Sequence, residues 1–152
     1  MRNLIAHYGL RPHPEGGFYR EVYRSQQTVT SSLAGAERRA LTHIYFLLLR
    51  DQISRFHRVR HDEVWNFYEG APLTLVTFDG TEVRTHRLGP GADYVLVVAG
   101  GLFQAAASEG AFSLVGCTVA PGFEFADFSF LAEDPDLSRC LEQNAPDYCR
   151  FL

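Results

Sequence analysis

Between Ala40 and Leu131 the chain consists of short segments rich in β-branched and aromatic residues, separated by glycine or proline turns. The turn signals are Glu69-Gly70-Ala71-Pro72, Asp79-Gly80, Gly89-Pro90-Gly91, Glu109-Gly110 and Pro121-Gly122. An Asp-Gly pair between two such segments is a strong hairpin signal. Eight or more strands at this spacing predict an all-β fold, a barrel or a sandwich, rather than alternating strands and helices.

The predicted strands cover residues 40–49, 51–60, 63–68, 73–78, 82–88, 94–98, 102–107, 112–119 and 123–131. Residues 94–98 are almost uniformly apolar, which predicts burial on both faces. Before this region we expect a short helix over Leu4–Leu10, a strand over Gly16–Arg24 and a polar loop over Gln26–Arg38.

A helical tail is predicted after the strands. Asp134 suits the N-cap position and Pro135 the first helical position. Asn144-Ala145-Pro146 then begins a second short turn. We expect the tail to cover one end of the barrel.

Composition limits the partners and the compartment. The 152 residues suit one domain over 1–152. The net charge of −4 is opposite to that of a phosphate-backbone reader, so we expect no nucleic-acid partner. The longest apolar runs have strand length and no signal-peptide pattern begins the chain, which predicts a cytoplasmic protein without membrane contact. The odd set of Cys117, Cys140 and Cys149 predicts reduced thiols, with a Cys140–Cys149 bridge as the alternative.

The segment Ser54–Gly70 carries the strongest chemical signal. Strand geometry places His57 and Val59 on one face, and Glu63, Trp65 and Phe67 on one face of the next strand. If both faces point inward, His57 and Glu63 meet in a cavity beside the Trp65 ring. An imidazole and a carboxylate there can hold a divalent metal or form an acid–base pair.

This segment resembles the first motif of the cupin superfamily, G-x5-H-x-H-x(3,4)-E-x6-G. The match covers His57, Glu63 and Gly70, whereas Val59 replaces the second histidine and Asp51 the first glycine. The second cupin motif aligns on residues 99–104. Gly101 matches there, Ala99 replaces a proline, and Gln104 replaces the metal-binding histidine.

The wider sequence resembles one small cupin family of undefined function. The similar segments are Pro14–Glu21, Phe56-His57-Arg58 with Asp62–Trp65, and Val119–Phe128. The resemblance implies a cupin jelly-roll barrel (a double-stranded β-helix) with short terminal helices and an interior pocket. It does not specify the reaction, because fold does not fix function.

Metal-dependent cupins use three histidines and a carboxylate, and two of those positions are lost here. If an ion were bound, the resemblance would assign it to His57, Glu63 and Gln104, with His61 as a second imidazole. One imidazole, one carboxylate and one amide make a poor transition-metal site. We therefore expect no cofactor, with one divalent metal ion as the alternative.

Without a metal the same residues form a candidate active site. His57 is the predicted general base, and Glu63 either orients it or acts itself. Tyr68 is the predicted acid, with Tyr19 and Tyr45 as alternatives. The predicted substrate contacts are Trp65, Phe67, Phe103, Gln104, Arg58 and Tyr45. For each aromatic residue, simple core filling is the competing interpretation.

A run of basic residues, Arg55, His57, Arg58, Arg60 and His61, stands out in an acidic protein. One interpretation is a solvated edge with ion pairs to Asp51, Asp62 and Glu63, and the other is capture of an anionic substrate, a carboxylate or phosphate. Asp127 has no clear role in the sequence, since a turn, a dimer contact and a pocket position all suit it.

The leading hypothesis is a small-molecule isomerase, epimerase or lyase that transfers protons on a carbonyl-bearing or sugar-like substrate. A non-catalytic module that binds a small ligand is the alternative, and a metal-dependent oxygenase is the second alternative. We also expect a homodimer, with the alternating segment Phe18–Arg24 as the contact, because exposed strand edges are commonly covered by a partner.

Overall fold

The computed structural model describes residues 3–152. Its strands are, in chain order, β1 (Arg11–Pro12), β2 (Phe18–Arg24), β3 (Thr28–Ser31), β4 (Ala36–Arg39), β5 (Thr42–Leu49), β6 (Ile53–Val59), β7 (Asp62–Gly70), β8 (Leu73–Phe78), β9 (Val83–Leu88), β10 (Val95–Val98), β11 (Phe103–Ser108), β12 (Phe112–Ala120) and β13 (Phe128–Phe130). The α-helices are α1 (Leu4–Tyr8) and α2 (Pro135–Asn144). Short 3-10 helices cover Phe125–Asp127, Leu131–Glu133 and Pro146–Phe151.

Two antiparallel sheets face each other. One has the order β1-β2-β5-β12-β7-β10 and the other the order β13-β6-β11-β8-β9, while β3 and β4 form a separate hairpin. The two sheets are not joined by backbone hydrogen bonds into a closed cylinder among the described residues. The predicted all-β cupin jelly roll with short terminal helices is confirmed.

Two predicted segments differ from the structure. Gln26–Arg38 was expected to be a loop but forms most of the hairpin β3–β4, in which Thr28 pairs with Arg39 and Ser31 with Ala36. Both strands are polar and mostly exposed, so they lack the alternation that marks a half-buried strand. Residues 123–131 contribute only three strand residues, because a 3-10 turn occupies Phe125–Asp127.

Strand β10 is not buried on both faces as predicted. Within the described part of the chain it pairs only with β7, at the edge of the six-stranded sheet. The side chains of Val95 and Val97 are 53% and 64% exposed, whereas Val98 is buried. The outer face of this sheet therefore carries apolar side chains that no described element covers at β10.

The C-terminal tail packs on the outer face of the five-stranded sheet. Phe56, Val76, Phe78, Phe103 and Ala105 project from that face and form a buried cluster with Leu131, Leu141 and Phe151. The prediction that the tail covers a barrel end is therefore wrong. Its start is as expected, since the Asp134 side chain accepts a hydrogen bond from the Leu137 amide at 3.1 Å and Pro135 opens α2.

The space between the sheets contains a separate core of Phe46, Leu48, Trp65, Leu75, Leu88 and Val115. A bulge in β6 adjusts what faces this space. Gln104 of β11 lies opposite His57, and Ala106 lies opposite Ser54, so one extra residue of β6 lies between these pairs. As a result both Ser54 and His57 are buried on the inner side. Among residues 3–152, no helix is long and apolar enough to cross a membrane.

Candidate active site

A cavity of about 290 Å³ lies between the two sheets. Glu15, His57, Glu63 and Cys117 form its buried floor. Tyr19, Phe46 and Val59 contribute to its walls, and Arg11, Arg24, Phe123, Phe125 and Phe128 lie around its rim. The cavity thus combines an apolar wall with a small set of converging titratable groups, which is the usual composition of a small-molecule site.

His57 is fixed in one orientation by the backbone. Its Nδ1–H donates to the Arg55 carbonyl at 2.7 Å, which leaves Nε2 facing the carboxyl group of Glu15 at 3.2 Å. The Phe128 ring stacks on the imidazole, with ring centroids 5.3 Å apart and planes 18° apart. Because Nδ1 keeps its proton, the exchangeable position of the ring is Nε2, on the side of the carboxyl group.

Glu15 reaches the floor from the segment before β2. Its Oε1 accepts a hydrogen bond from the Ser54 hydroxyl at 2.7 Å, and its carbonyl accepts one from the Arg55 amide at 2.8 Å. The next residue has to be glycine, because Gly16 has φ +114° and a Cβ there would lie 2.1 Å from the Ile53 carbonyl oxygen. This close approach to β6 carries the Glu15 side chain to His57.

His13 completes this corner as a neutral ring. Its Nδ1 accepts the Glu15 backbone N–H at 3.3 Å, so that nitrogen is unprotonated. Burial, with the charges of His57 and Arg11, lowers the pKa of His13 to about 3. The ring lies edge-on to Tyr19 with centroids 4.5 Å apart. His13 therefore lines the cavity without adding a charge near neutral pH.

Glu63 is held from behind by a chain of polar contacts. The Gln104 amide donates to Glu63 Oε2 at 2.5 Å, and the Trp65 indole N–H donates to Gln104 Oε1 at 2.9 Å. The Cys117 thiol also hydrogen-bonds to Glu63. Trp65 and Gln104 are almost fully buried and do not reach the cavity surface, so they support Glu63 rather than form a wall.

The floor titrates near neutral pH. Burial raises the pKa of Glu15 to about 8 and that of Glu63 to about 7, and it lowers the pKa of His57. Burial also raises the pKa of the Cys117 thiol, so this cysteine stays protonated. Two carboxyl groups with raised pKa values and an imidazole with a lowered one can act as acid and base on one bound molecule.

Several predicted substrate contacts lie outside the cavity. Phe103 and Arg58 are on the outer face of the five-stranded sheet, where the Arg58 guanidinium lies 4.8 Å from the centre of the Phe103 ring. Phe103 neighbours the inward Gln104, and neighbouring strand residues face opposite sides. Phe67 is half-buried at the edge of the inner core and packs edge-on against Tyr94, away from the cavity floor.

Tyr68 and Tyr45 are also on an outer face, that of the six-stranded sheet. A bulge in β7 places Tyr68 between the positions paired with Leu114 and Val115, and its side chain is 45% exposed. Its hydroxyl lies 3.0 Å from His43 Nε2, and its ring meets Tyr45 edge-on. Neither ring lines the cavity. Among the three tyrosines considered from the sequence, Tyr19 is the one that does.

The basic run is split between two environments. His57 faces the cavity, whereas Arg60 and Arg38 donate to the Asp127 carboxylate at 3.1 and 2.6 Å. The buried His61 accepts or donates a 2.7 Å hydrogen bond with Ser31, and its Nδ1 lies 4.0 Å from Asp127. This group, which we term the clasp (Ser31, Arg38, Arg60, His61 and Asp127), ties the hairpin β3–β4 to the barrel. Arg60 thus forms an ion pair, but with Asp127 rather than with the predicted partners Asp51, Asp62 and Glu63. Neither Arg58 nor Arg60 lines the cavity.

The residues at the cupin metal positions do not fit a transition metal. Val59 offers no donor atom. Both polar ends of the Gln104 amide are engaged, one with Glu63 and the other with Trp65. Within residues 3–152, no group of three or more His, Cys, Asp or Glu side chains is arranged to hold a metal ion. His61, the alternative ligand, belongs to the clasp.

Sequence reasoning missed Glu15 and His13. Glu15 lies 39 residues before Ser54, and no local pattern links them. The available signal was the acidic residue directly before Gly16-Gly17, where two adjacent glycines indicate a backbone in an unusual conformation or in close contact.

The double-sheet jelly roll with an interior cavity is the architecture of a cupin. The family model for the Cupin superfamily (DUF985) matches residues 2–131, and the chain belongs to this family.

Three relatives extend the match over the whole chain. Protein SO0799 from Shewanella oneidensis is 34% identical with a TM-score of 0.81, covering 97% of this chain and 91% of that one. A hypothetical protein from Leishmania major is 30% identical with a TM-score of 0.81, covering 95% and 92%. Uncharacterized protein YML079W from Saccharomyces cerevisiae is 27% identical over all of this chain and 85% of its own length.

Proposed function

We propose that this cupin catalyses proton transfer on a small carbonyl-bearing molecule, as an isomerase, epimerase or lyase, without a metal ion. The observation that carries the proposal is the contact between His57 Nε2 and Glu15 Oε2 at 3.2 Å, beside Glu63, on the floor of a cavity. Burial raises the pKa of Glu15 to about 8 and that of Glu63 to about 7 and lowers the pKa of His57, so near neutral pH a protonated carboxyl group can act as acid beside an unprotonated imidazole as base.

The residues take distinct roles in this proposal. His57 Nε2 accepts the proton when a C–H bond beside the substrate carbonyl breaks, with Glu15 beside it, and His57 Nδ1 stays hydrogen-bonded to Arg55. The electron pair of that bond moves to the carbonyl oxygen, to which Glu63 in its protonated form donates. Return of the proton to carbon gives an epimer or isomer. Loss of a leaving group from the adjacent carbon gives the lyase outcome.

A hydrogen-exchange assay tests the proposal without knowledge of the natural substrate. The protein is incubated in D2O with a panel of α-keto acids, uronic acids and ketose phosphates, and proton NMR follows replacement of C–H by C–D. We expect protein-dependent exchange in at least one compound. Exchange should fall at least 100-fold in His57→Gln and Glu63→Gln, the usual range for loss of an acid or base.

Tyr68→Phe is the matched control, because Tyr68 lies on the outer face and is expected to leave exchange unchanged. All variants are checked for folding by circular dichroism and thermal unfolding. Exchange that persists in both floor variants would contradict the proposal.

Binding without chemistry is the second candidate function. It is favoured by Val59 and Gln104, which replace two metal-binding histidines of the cupin motifs. In addition, the Gln104 amide donates a hydrogen bond to Glu63. A compound that stabilises the protein saturably, is recovered unchanged and shows no deuterium would indicate this function.

We further propose a homodimer. Among the described residues, the part of β2 beyond Tyr19 pairs only with β5, so Arg20–Arg24 presents a strand edge with the exposed side chains of Val22 and Tyr23. Light scattering should give twice the chain mass, and a monomer at micromolar concentration would contradict the proposal.

A further inference from the structure

The rim of the cavity contains two arginines in different states. Arg24 donates to Glu21 at 2.8 Å and to Glu124 at 2.7 Å, so its charge is matched by carboxylates. Among the described residues, no carboxylate lies within ion-pair distance of Arg11. Its guanidinium instead lies over the Tyr19 ring, 4.9 Å from the ring centre.

Arg11 is connected to the floor by a path of aromatic rings. Tyr19 meets His13 edge-on at 4.5 Å, and His13 packs near Phe128 at 6.4 Å, which itself stacks on His57. These ring contacts connect the rim at Arg11 to the floor at His57. A guanidinium with free N–H groups binds carboxylates bidentately.

The other side of the rim is apolar. Phe123, Phe125 and Phe128 contact one another with centroids 5.0 to 6.2 Å apart. Phe125 is 54% exposed although it belongs to this cluster. An exposed phenyl ring at a cavity entrance is a surface on which a flat apolar group can pack.

We propose that the cavity binds a small carboxylate with a planar apolar body, with the carboxylate on Arg11 and the planar group against Phe123, Phe125 and Phe128. This proposal rests on the proposed function only in taking the same cavity as the reaction site. It moves the anion-binding role from Arg58 and Arg60, which face outward, to Arg11.

Isothermal titration with three simple probes tests this assignment. The probes are 3-phenylpropionate, its neutral analogue 3-phenylpropan-1-ol and propionate, which lacks the ring. We expect 3-phenylpropionate to bind the wild-type protein about tenfold or more tightly than either other probe. In Arg11→Gln the acid and the alcohol should bind equally weakly, and Arg11→Lys should recover part of the preference for the acid.

Arg20→Gln is the matched control, because Arg20 also lies over a tyrosine, 5.6 Å from the centre of the Tyr45 ring on the outer face. It should bind like the wild-type protein. Equal binding of acid and alcohol to the wild type, an equal loss in Arg20→Gln, or binding of none of the probes would overturn the proposal. Because titration involves no turnover, absence of deuterium exchange with intact Arg11-dependent binding would count against the proposed function alone.

Discussion

The cavity floor and the clasp both bury a carboxylate beside a histidine, yet they differ in charge balance. In the clasp, Asp127 accepts hydrogen bonds from Arg38 and Arg60, which hold its pKa below the ordinary value. On the floor, Glu15 has a serine hydroxyl and an imidazole as partners, and burial raises its pKa to about 8. Arginine contact thus fixes one carboxylate in the charged form, and its lack leaves the other able to exchange a proton.

The largest expected difference is between the exchange activities of variants at His57 on the floor and His61 in the clasp. His57→Gln is expected to reduce deuterium exchange at least 100-fold, because it removes the proton acceptor at Nε2. His61→Gln should change it less than threefold, since His61 hydrogen-bonds to Ser31 in the clasp. Proton NMR on the most active compound of the panel measures both rates. Equal losses in the two variants would mean that the clasp takes part in catalysis.

Glu15→Gln should stabilise the protein at alkaline pH. In the unfolded chain Glu15 ionises near its ordinary pKa of 4.5, whereas in the folded protein it keeps its proton up to about pH 8. The folded state therefore binds more protons between these values, and this group lowers the free energy of unfolding as pH rises through that window.

The Glu15→Gln variant has no group that titrates here, so its free energy of unfolding does not fall in this way as pH rises. Urea unfolding should show it more stable than the wild type by about 2 to 4 kcal/mol at pH 8, with the difference nearly lost at pH 5. Its exchange activity should fall at the same time, which is a trade-off between stability and function. A pH-independent difference would show that Glu15 is ionised in the folded protein.

Asp127→Asn should have the opposite effect on stability. It leaves Arg38 and Arg60 without their carboxylate, so we expect the variant to unfold at a lower urea concentration than the wild type at pH 7. The pKa of Asp127 is lowered in the folded state, so its stabilisation is present above the unfolded pKa of 3.8 and disappears as pH falls below that value. Urea unfolding at pH 7 and pH 3 measures this. A destabilisation that is equal at both pH values would contradict the ion-pair explanation.

The smallest expected difference between the clasp and the floor is in how salt changes the stability effects of Asp127→Asn and Glu15→Gln. Arg60 in the clasp is partly exposed, so salt screens its ion pair with Asp127. In 0.5 M sodium chloride the loss of unfolding free energy caused by Asp127→Asn should be smaller by about 0.3 kcal/mol. The effect of Glu15→Gln should not change, since the floor is buried. Urea titrations with and without salt measure both effects. If salt changes them equally, the two carboxyl groups are equally exposed to solvent ions.

The sequence predicted the fold and half of the floor, because these depend on local pattern and on the cupin motif. The two-residue alternation of side chains along a strand correctly predicted that Glu63 and Trp65 face inward. The same alternation places Tyr68 on the face opposite Trp65 and Phe67, so its assignment as the acid went against the pattern, and the structure has it on the outer face at a bulge in β7. Phe103 and Gln104 were both assigned to the site, although neighbouring strand residues face opposite sides and only Gln104 faces in.

Glu15 and Arg11 could not be assigned from pattern. Their positions depend on contacts between the N-terminal segment and strands far along the chain, such as Glu15 with Ser54 and His57. The tail was misplaced for a related reason. Its apolar residues indicate that it packs somewhere, but not whether it covers a barrel end or the face that carries Phe56 and Phe103.

The Glu15 segment also makes the site divisible. The carboxylate arrives on a short N-terminal arm that passes against β6 at Gly16, whereas the histidine and Glu63 belong to β6 and β7. A barrel expressed without the residues before Phe18 would retain His57 and lose its partner. Adding a synthetic peptide of the arm would then test whether the proposed proton transfer returns by fragment complementation.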